Sequence, residues 1–214
     1  MVRVKTFDIL KELGIDADVK CYEPVEPELS DVRFTDVLPQ LRSGGGRVRE
    51  VSSAKLYKHQ LEAIAALQRG HNVILVSGTG SGKTEAWLLY ALRNKKKVLV
   101  IYPTLALSAD QIKRIEDFSK AVSSEKYVVK IDRPSISSLH STDISTRVRN
   151  AGVVITNPAF LMSDLKRAAI KPSSSYLLHF LKLLDLIVID ELDFYGSKGC
   201  LLYTSDAADE LDGV

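Results

Sequence analysis

The sequence predicts an α/β domain with a mostly parallel β-sheet and helices on both of its faces. Short apolar runs such as KVLVIYP and GVVIT alternate with segments of helical periodicity, and continuous apolar strands are typical of parallel sheets that are covered on both sides. A second observation is the stretch SGTGSGKTEAW, in which a glycine-rich turn joins an apolar run to a helix. A third is the run LIVIDELD, where an apolar strand ends in two adjacent carboxylates.

The composition indicates a soluble globular protein and excludes several other classes. Hydrophobic residues make up 45% of the chain and charged residues 26%, which is ordinary for such proteins. The net charge of +2 is too small to indicate an acidic partner by itself. The two cysteines and four histidines show no metal-ligand spacing. Because the first residues lack the apolar core of a signal peptide, we expect a cytoplasmic protein.

The elements can be assigned in chain order. Residues 1–46 are expected to form an N-terminal extension that ends in a glycine-rich joint, and residues 47–199 to form the main domain. A helix is expected from a cap at Ser53 to a stop at Gly70. The segments that follow alternate between strand and helix, and they read NVILVS, GKTEAWLLYALRN, KVLVIYP, SADQIKRIEDFSKAV, YVVKI, GVVIT and DLIVID.

The glycine-rich turn has the composition of a phosphate-binding loop. Its glycines allow successive backbone N–H groups to face one anion, and the helix that follows adds its positive N-terminal end. Lys83 would place its ammonium on the outer phosphates and Thr84 would offer its hydroxyl to Mg²⁺. A glycine turn without a ligand is the alternative. The residues expected to bind the phosphates here are Thr79, Gly80, Ser81, Gly82, Lys83 and Thr84.

The loop also resembles that of one particular family. Ser77 stands where the usual pattern has glycine, and a small residue followed by x-Thr-Gly-Ser-Gly-Lys-Thr resembles the loop of superfamily 2 helicases of the DEAD/DEAH type. The resemblance continues in motif order over roughly residues 53–199. It implies a RecA-like P-loop NTPase domain, the first of two such motor domains, with ATP and Mg²⁺ as cofactors.

Two further motifs complete the implied ATP site. The stretch LYKHQLEAI resembles the family's Q motif, which implies that Gln60 contacts adenine; a solvated glutamine is the alternative. Adjacent carboxylates at the end of a buried strand are costly without a cation. The resemblance implies that Asp190 holds a water of the Mg²⁺ shell, that Glu191 polarises the attacking water, and that Asp193 couples hydrolysis to the second motor domain.

Nucleic-acid contacts are implied at two strand ends. The stretch YPTLALSADQ resembles motif Ia, with Thr104 and Ser108 as contacts, although Ser108 could simply cap a helix. In VVITNPAFL the corresponding residues are Thr156 and Asn157. The stretches FYGSKG and SGKTEA resemble the YprA-like and Lhr-like DNA helicases, so DNA is favoured over RNA.

The motifs together imply the ATP-hydrolysing motor domain of a nucleic-acid helicase or translocase that lacks its second motor domain. The alternatives are an RNA-remodelling DEAD-box-type ATPase, a nucleic-acid-binding module that is inactive as a fragment, and a P-loop kinase of small molecules. Without an arginine finger from a second domain, hydrolysis is expected to be slower by about 10³–10⁵.

The last fifteen residues do not fit the family pattern. The stretch CLLYTSDAADE can be back-translated into a sequence that resembles a transposase sequencing adapter. We therefore expect residues 200–214 to be non-native, with a genuine acidic tail as the alternative.

Overall fold

The computed structural model describes residues 27–78, 80–103, 109–122, 127–137 and 141–195. Six strands are found in these residues: β1 (Leu29–Arg33), β2 (Lys55–Tyr57), β3 (Val98–Ile101), β4 (Val128–Lys130), β5 (Val153–Thr156) and β6 (Leu186–Ile189). The α-helices in the same residues are α1 (Phe34–Val37), α2 (Gly46–Ser52), α3 (Lys58–Gln68), α4 (Lys83–Arg93), α5 (Ala109–Val122), α6 (Arg133–Ser137), α7 (Ser141–Asn150), α8 (Pro158–Ile170), α9 (Leu178–Leu181) and α10 (Leu192–Tyr195). Short 3₁₀ turns cover Pro39–Ser43 and Pro172–Ser174.

The main sheet is parallel, with the strand order β4-β5-β3-β6. Ile101 in β3 lies opposite Thr156 in β5 and Ile189 in β6, so these three strands end side by side. The residues that follow them therefore share one edge of the sheet, which we call the carboxyl edge. Strands β1 and β2 form a separate antiparallel pair.

The sheet is covered by helices on both faces, which confirms the predicted fold class. Val98 and Val100 of β3 pack with apolar residues of α4 and α5. Leu99 and Ile101 pack on the opposite face with residues of α7, α8 and α9. Because side chains alternate along a strand, one apolar strand supplies both cores.

The residues between β1 and α2 pack against the main domain through α5. The rings of Phe34 and Phe118 lie 6.2 Å apart, and Leu41 and Val48 are buried in the same core. A domain boundary after residue 46 stays a prediction. The suspected adapter at residues 200–214 and the first 26 residues lie outside the described parts of the chain.

The helix predicted from Ser53 begins later than expected. The structure places β2 at Lys55–Tyr57, and α3 starts at Lys58. The helical spacing of the apolar residues misled the prediction because Leu56, which fits that spacing, is buried beneath the β1–β2 pair instead. The predicted stop is found, since Gly70 follows α3 with a φ of +78°.

The strand predicted at NVILVS is wrong. Residues 71–78 form no strand in the structure, and Ile74 and Val76 are 82% and 89% exposed. A strand needs a neighbour for its backbone hydrogen bonds, and no strand among the described residues pairs with this segment. The strand β6 is present but is less buried than expected, because it forms the outer edge of the sheet with Ile187 54% and Ile189 50% exposed.

In the described residues, no helix is both long and apolar enough to cross a membrane.

Candidate nucleotide-binding site

The glycine-rich loop turns directly into α4. Gly80 and Gly82 both have a φ of +78°, a left-handed conformation that glycine adopts without steric cost. Gly82 immediately precedes the helix, and a Cβ atom at this position would collide with the Nε2 atom of Gln60. A glycine is therefore required at position 82 for its backbone conformation and for the close approach of Gln60.

Lys83 folds back across this loop. Its Nζ atom donates hydrogen bonds to the carbonyl oxygens of Ser77 at 2.9 Å and Gly78 at 3.0 Å. The hydroxyls of Ser77 and Ser81 lie 2.6 Å apart and join the two sides of the loop. The ammonium is therefore held among neutral carbonyl acceptors, which a phosphate could replace with charged oxygens.

Gln60 is buried and both ends of its amide are engaged within the protein. Its Oε1 atom accepts a hydrogen bond from the backbone N–H of Tyr57 at 2.9 Å, and its Nε2 atom donates to the carbonyl oxygen of Gly82 at 2.9 Å. Gln60 therefore fixes the start of α3 to the end of the loop. The contact with adenine stays a prediction.

His59 supports the same loop, a role that the sequence did not suggest. Its Nε2 atom lies 2.9 Å from the carbonyl oxygen of Ser81, and its ring stacks on Tyr57 with 5.5 Å between centroids. Because a carbonyl oxygen only accepts, Nε2 carries the proton in this contact. The sequence signal that could have indicated this contact is the place of His59 next to Gln60, since consecutive residues at a helix start can both reach a neighbouring turn.

Thr84 lies in the first turn of α4, where it is buried. Its hydroxyl donates a hydrogen bond to the Oε1 atom of Gln111 in α5 at 3.1 Å. This contact links the loop to the helix that follows β3. The predicted role of Thr84 as a Mg²⁺ ligand is not tested by this contact.

Asp190 and Glu191 follow β6 at the carboxyl edge. The backbone N–H of Asp190 donates to the carbonyl oxygen of Ile101 at 3.1 Å, which continues the pairing of β6 with β3. Glu191 has a φ of +50°, and its N–H donates to the Oδ1 atom of Asp190 at 3.0 Å. A left-handed backbone costs a non-glycine residue roughly 1–3 kcal/mol, and such residues are concentrated at functional sites.

Tyr102 follows β3 at this edge, and the same carboxylates affect the pKa of its phenol. Burial, followed by the charge of Asp190, raises the pKa of its phenol well above the usual range. The charges of Glu191 and Glu85 act in the same direction, and Arg114 acts against them. The carboxylates after β6 and the Glu85 carboxylate of the loop helix therefore all favour the neutral form of this tyrosine.

The pair formed by Glu85 and Arg114 was missed by sequence reasoning. The Nη1 atom of Arg114 lies 2.9 Å from the Oε1 atom of Glu85, which joins α4 to α5. Glu85 shares a helical face with Leu88, Leu89 and Leu92, all of which are buried. A charged residue on the apolar face of a helix needs a partner, and this pattern could have pointed to the pair.

Two of the residues predicted to contact nucleic acid, Thr156 and Asn157, form hydrogen bonds with the backbone of the protein. Thr156 is fully buried, and its hydroxyl donates to the carbonyl oxygen of Ile131. Asn157 caps α8, because its Oδ1 atom accepts from the N–H of Phe160 at 2.8 Å. Their contact with nucleic acid stays a prediction. Thr79, Thr104, Ser108 and the side chain of Asp193 lie outside the described parts of the structure.

Comparison with protein families identifies the chain. The model of the DEAD/DEAH box helicase family matches residues 57–208, which include the glycine-rich loop and both carboxylates. The chain belongs to the DEAD/DEAH box helicase family. The resemblance inferred from the sequence is thus confirmed, and the chain carries the ATP-dependent motor domain of these helicases.

Three comparisons place the helicase domain among known proteins. It is 28% identical to the uncharacterized ATP-dependent helicase YprA of Bacillus subtilis over 88% of the chain and 24% of YprA. A hypothetical ATP-dependent RNA helicase of Sulfolobus tokodaii superposes with a TM-score of 0.57 at 23% identity, covering 79% of this chain and 46% of that one. The DUF1998 helicase MrfA bound to DNA superposes with a TM-score of 0.57 at 23% identity, covering 90% of this chain and 27% of MrfA. The chain thus spans about a quarter of the length of YprA.

The helicase domain offers suitable oxygen ligands for Mg²⁺. The hydroxyl of Thr84 and the carboxylate of Asp190 are the oxygen donors that this cation prefers. Within the described residues, neither Asp190 nor Glu191 has a cationic side chain within 4.0 Å. Two adjacent carboxylates without a cationic partner among these residues fit a site for a cation.

Proposed function

We propose that this chain is the ATP-binding motor domain of an enzyme that uses ATP hydrolysis to move along, or to open, a nucleic-acid duplex. The observation that carries the proposal is the loop, where Lys83 folds over two carbonyl oxygens and Gly82 leads into the helix N-terminus. This geometry suits a triphosphate because an ammonium and the positive N-terminal end of a helix belong to the same loop.

Each residue of the site has a definite role in this proposal. The ammonium of Lys83 exchanges the carbonyl oxygens of Ser77 and Gly78 for phosphate oxygens. The Thr84 hydroxyl would hold Mg²⁺ directly and Asp190 would hold it through a water, and the cation would neutralise charge on the phosphates. Glu191, the residue after Asp190, would polarise the attacking water as a general base. Gln60 contacts adenine while its amide also holds the loop.

A second motor domain is part of the proposal. The transition state of phosphoryl transfer is stabilised by an arginine finger, which in this enzyme would come from that domain, with Asp193 coupling the two. The missing charge stabilisation is worth about 10³–10⁵ in rate. We therefore expect this chain to bind Mg-ATP and to hydrolyse it only slowly.

DNA is the proposed substrate, contacted by Thr104, Ser108 and Asn157, while the buried Thr156 fixes the end of β5 immediately before Asn157. The support for DNA is the resemblance of FYGSKG and SGKTEA to the YprA-like and Lhr-like DNA helicases. The solved structures of this fold include a protein named as an RNA helicase and one bound to DNA. Direct comparison of DNA and RNA strands tests the proposed preference for DNA.

The proposal is tested with the chain itself. Binding of a fluorescent ATP analogue is measured with and without Mg²⁺, and ATP hydrolysis is measured with DNA, with RNA and with neither. Lys83→Ala should abolish binding, whereas Glu191→Gln should keep binding and abolish hydrolysis. Arg93→Gln is a matched control, because Arg93 is an exposed cation at the far end of α4.

Wild-type protein that binds no nucleotide, or a Lys83→Ala variant that binds as well as wild type, would contradict the proposal. Transfer of phosphate to a small molecule, with no response to DNA or RNA, would instead favour a kinase.

A further inference from the structure

A basic pocket lies outside the nucleotide site, between β1, α2 and the 3₁₀ turn at Pro39–Ser43. Its cavity measures about 350 Å³. The side chains and backbone that line it belong to Arg33, Thr35, Arg42, Arg49, Ser52 and Ser53. The lining residues are thus three arginines and three hydroxyl-bearing residues, with no acidic residue among them.

The floor of this pocket is held in place by the protein core. Leu41, which is next to Arg42, and Val48, which is next to Arg49, are both buried in the core that contains α4 and α5. Arg33 is fixed at its tip, where Nη1 donates to the carbonyl oxygen of Ser53 at 2.8 Å. The backbone that carries the three arginines is therefore anchored, and their side chains are exposed.

The carboxylate of Asp36 lies near the pocket, where it accepts a hydrogen bond from the backbone N–H of Arg33 at 2.8 Å, but it forms no ion pair with the three guanidinium groups. Among the residues that the structure describes, no carboxylate lies within 4.0 Å of the guanidinium groups of Arg33, Arg42 or Arg49. On the same β1–β2 pair, by contrast, Lys55 is paired with Asp31 at 2.9 Å. Three grouped and unpaired arginines repel one another unless an anion joins them.

We propose that this pocket binds a phosphate group of the nucleic-acid strand on which the motor acts. The guanidinium fork matches the oxygens of a phosphate and donates to two of them at once. Hydroxyl groups such as those of Thr35 and Ser53 are also common donors to a nucleic-acid backbone. The inference rests on the proposed function, because that function brings a strand to the protein, and it adds a contact upstream of the helicase motifs.

The test uses Arg42→Gln together with Arg49→Gln, with Arg33 retained because it holds Ser53. Binding of a labelled single-stranded oligonucleotide is measured by fluorescence anisotropy over a range of salt concentrations. For a single strand, each phosphate contact contributes about 0.7 to the slope of the logarithm of the binding constant against the logarithm of the salt concentration. The slope should therefore be smaller by about 1.4 in the double variant than in the wild type. A matched control is Arg69→Gln with Arg93→Gln, two exposed arginines outside the pocket, which should leave the slope unchanged.

Arg42→Lys with Arg49→Lys is a second variant that keeps the charge and loses the fork. It should retain most of the salt slope while binding more weakly than wild type, because lysine acts as a point charge. Urea unfolding curves that match wild type show that the variants fold. Competition by inorganic phosphate and by ATP separates a free phosphate from a strand as the ligand.

An unchanged slope in the double glutamine variant would overturn the inference while leaving the motor function intact. If the double glutamine variant loses competition by inorganic phosphate but binds the oligonucleotide like wild type, the ligand of the pocket is free phosphate. That result would overturn the proposal that the pocket binds the nucleic-acid strand. A wild-type chain that binds ATP but no oligonucleotide would overturn both this inference and the nucleic-acid part of the proposed function.

Discussion

The pair of Glu85 and Arg114 joins the loop helix α4 to α5, and its removal should be costly. The side chains are only 12% and 20% exposed, respectively, and they meet at 2.9 Å. Within the described residues, the buried Oε2 atom of Glu85 and the buried Nε atom of Arg114 have no hydrogen-bond partner. The two charges therefore depend mainly on each other for compensation.

Replacement of Arg114 by methionine keeps much of the side-chain volume and removes the positive charge. Breaking a buried pair by removing one partner costs about 3–5 kcal/mol, because the other charge is left uncompensated. Since both side chains keep some contact with solvent, we expect the lower end of this range, roughly 3 kcal/mol. Replacing both residues by methionine should restore most of the loss, because a well-packed apolar pair needs no compensation.

The assay is urea unfolding of the wild type, Arg114→Met, Glu85→Met and the double variant. The free energies of unfolding are compared where the variants share the same dependence of this free energy on urea concentration. The double-mutant cycle isolates the interaction between the two side chains. A loss below about 1 kcal/mol for Arg114→Met would match a surface ion pair and refute the reasoning. Additive losses in the double variant would refute it as well.

Three further changes test the loop and the sheet. Gly82→Ala should weaken binding of the ATP analogue and destabilise the chain by about 1–2 kcal/mol or more, because an L-residue is disfavoured at a φ of +78° and its Cβ would meet Gln60; unchanged binding would contradict this. Gln60→Ala removes two hydrogen bonds worth about 1 kcal/mol each and should lower ATP affinity by freeing Gly82, which titration of the analogue measures. The backbone N–H of Lys97, followed by the Lys96 ammonium, holds the pKa of Asp185 below its usual range. Asp185→Asn should therefore cost at most about 1 kcal/mol at pH 7, since the group is exposed. The difference from wild type should begin to shrink below about pH 3.9 and should vanish once the pH is below the lowered pKa of Asp185; a difference that persists unchanged at pH 2 would exclude this linkage.

The parts of the site that depend on local chemistry could be predicted from the sequence. The spacing of the glycines before Lys83 and Thr84 requires a loop at a helix start, and the structure has Gly82 preceding α4. Likewise, the apolar run before Asp190 indicated a strand that delivers a carboxylate to the sheet edge, as β6 does. In both cases the signal lies within about ten consecutive residues.

The parts that failed depend on contacts between distant segments. The run NVILVS has the composition of a strand, but a strand forms only beside a neighbour, and the sequence does not show which strands pair. The contacts of Gln60 with Gly82 and of Arg114 with Glu85 span 22 and 29 residues. Such pairs follow from how helices pack, which single-sequence periodicity does not specify.

The outer edge of β6 has a consequence for the behaviour of the chain in solution. One side of this strand pairs with β3, and within the described residues no strand covers the other side, where Ile187 and Ile189 are half exposed. Open apolar edges readily pair with strands of other molecules, and natural proteins often protect them with charge. Concentrated samples should therefore self-associate through β6, and Ile187→Lys should keep them monomeric in sedimentation experiments. The strand that presents Asp190 at the nucleotide site thus also sets the colloidal stability of the domain.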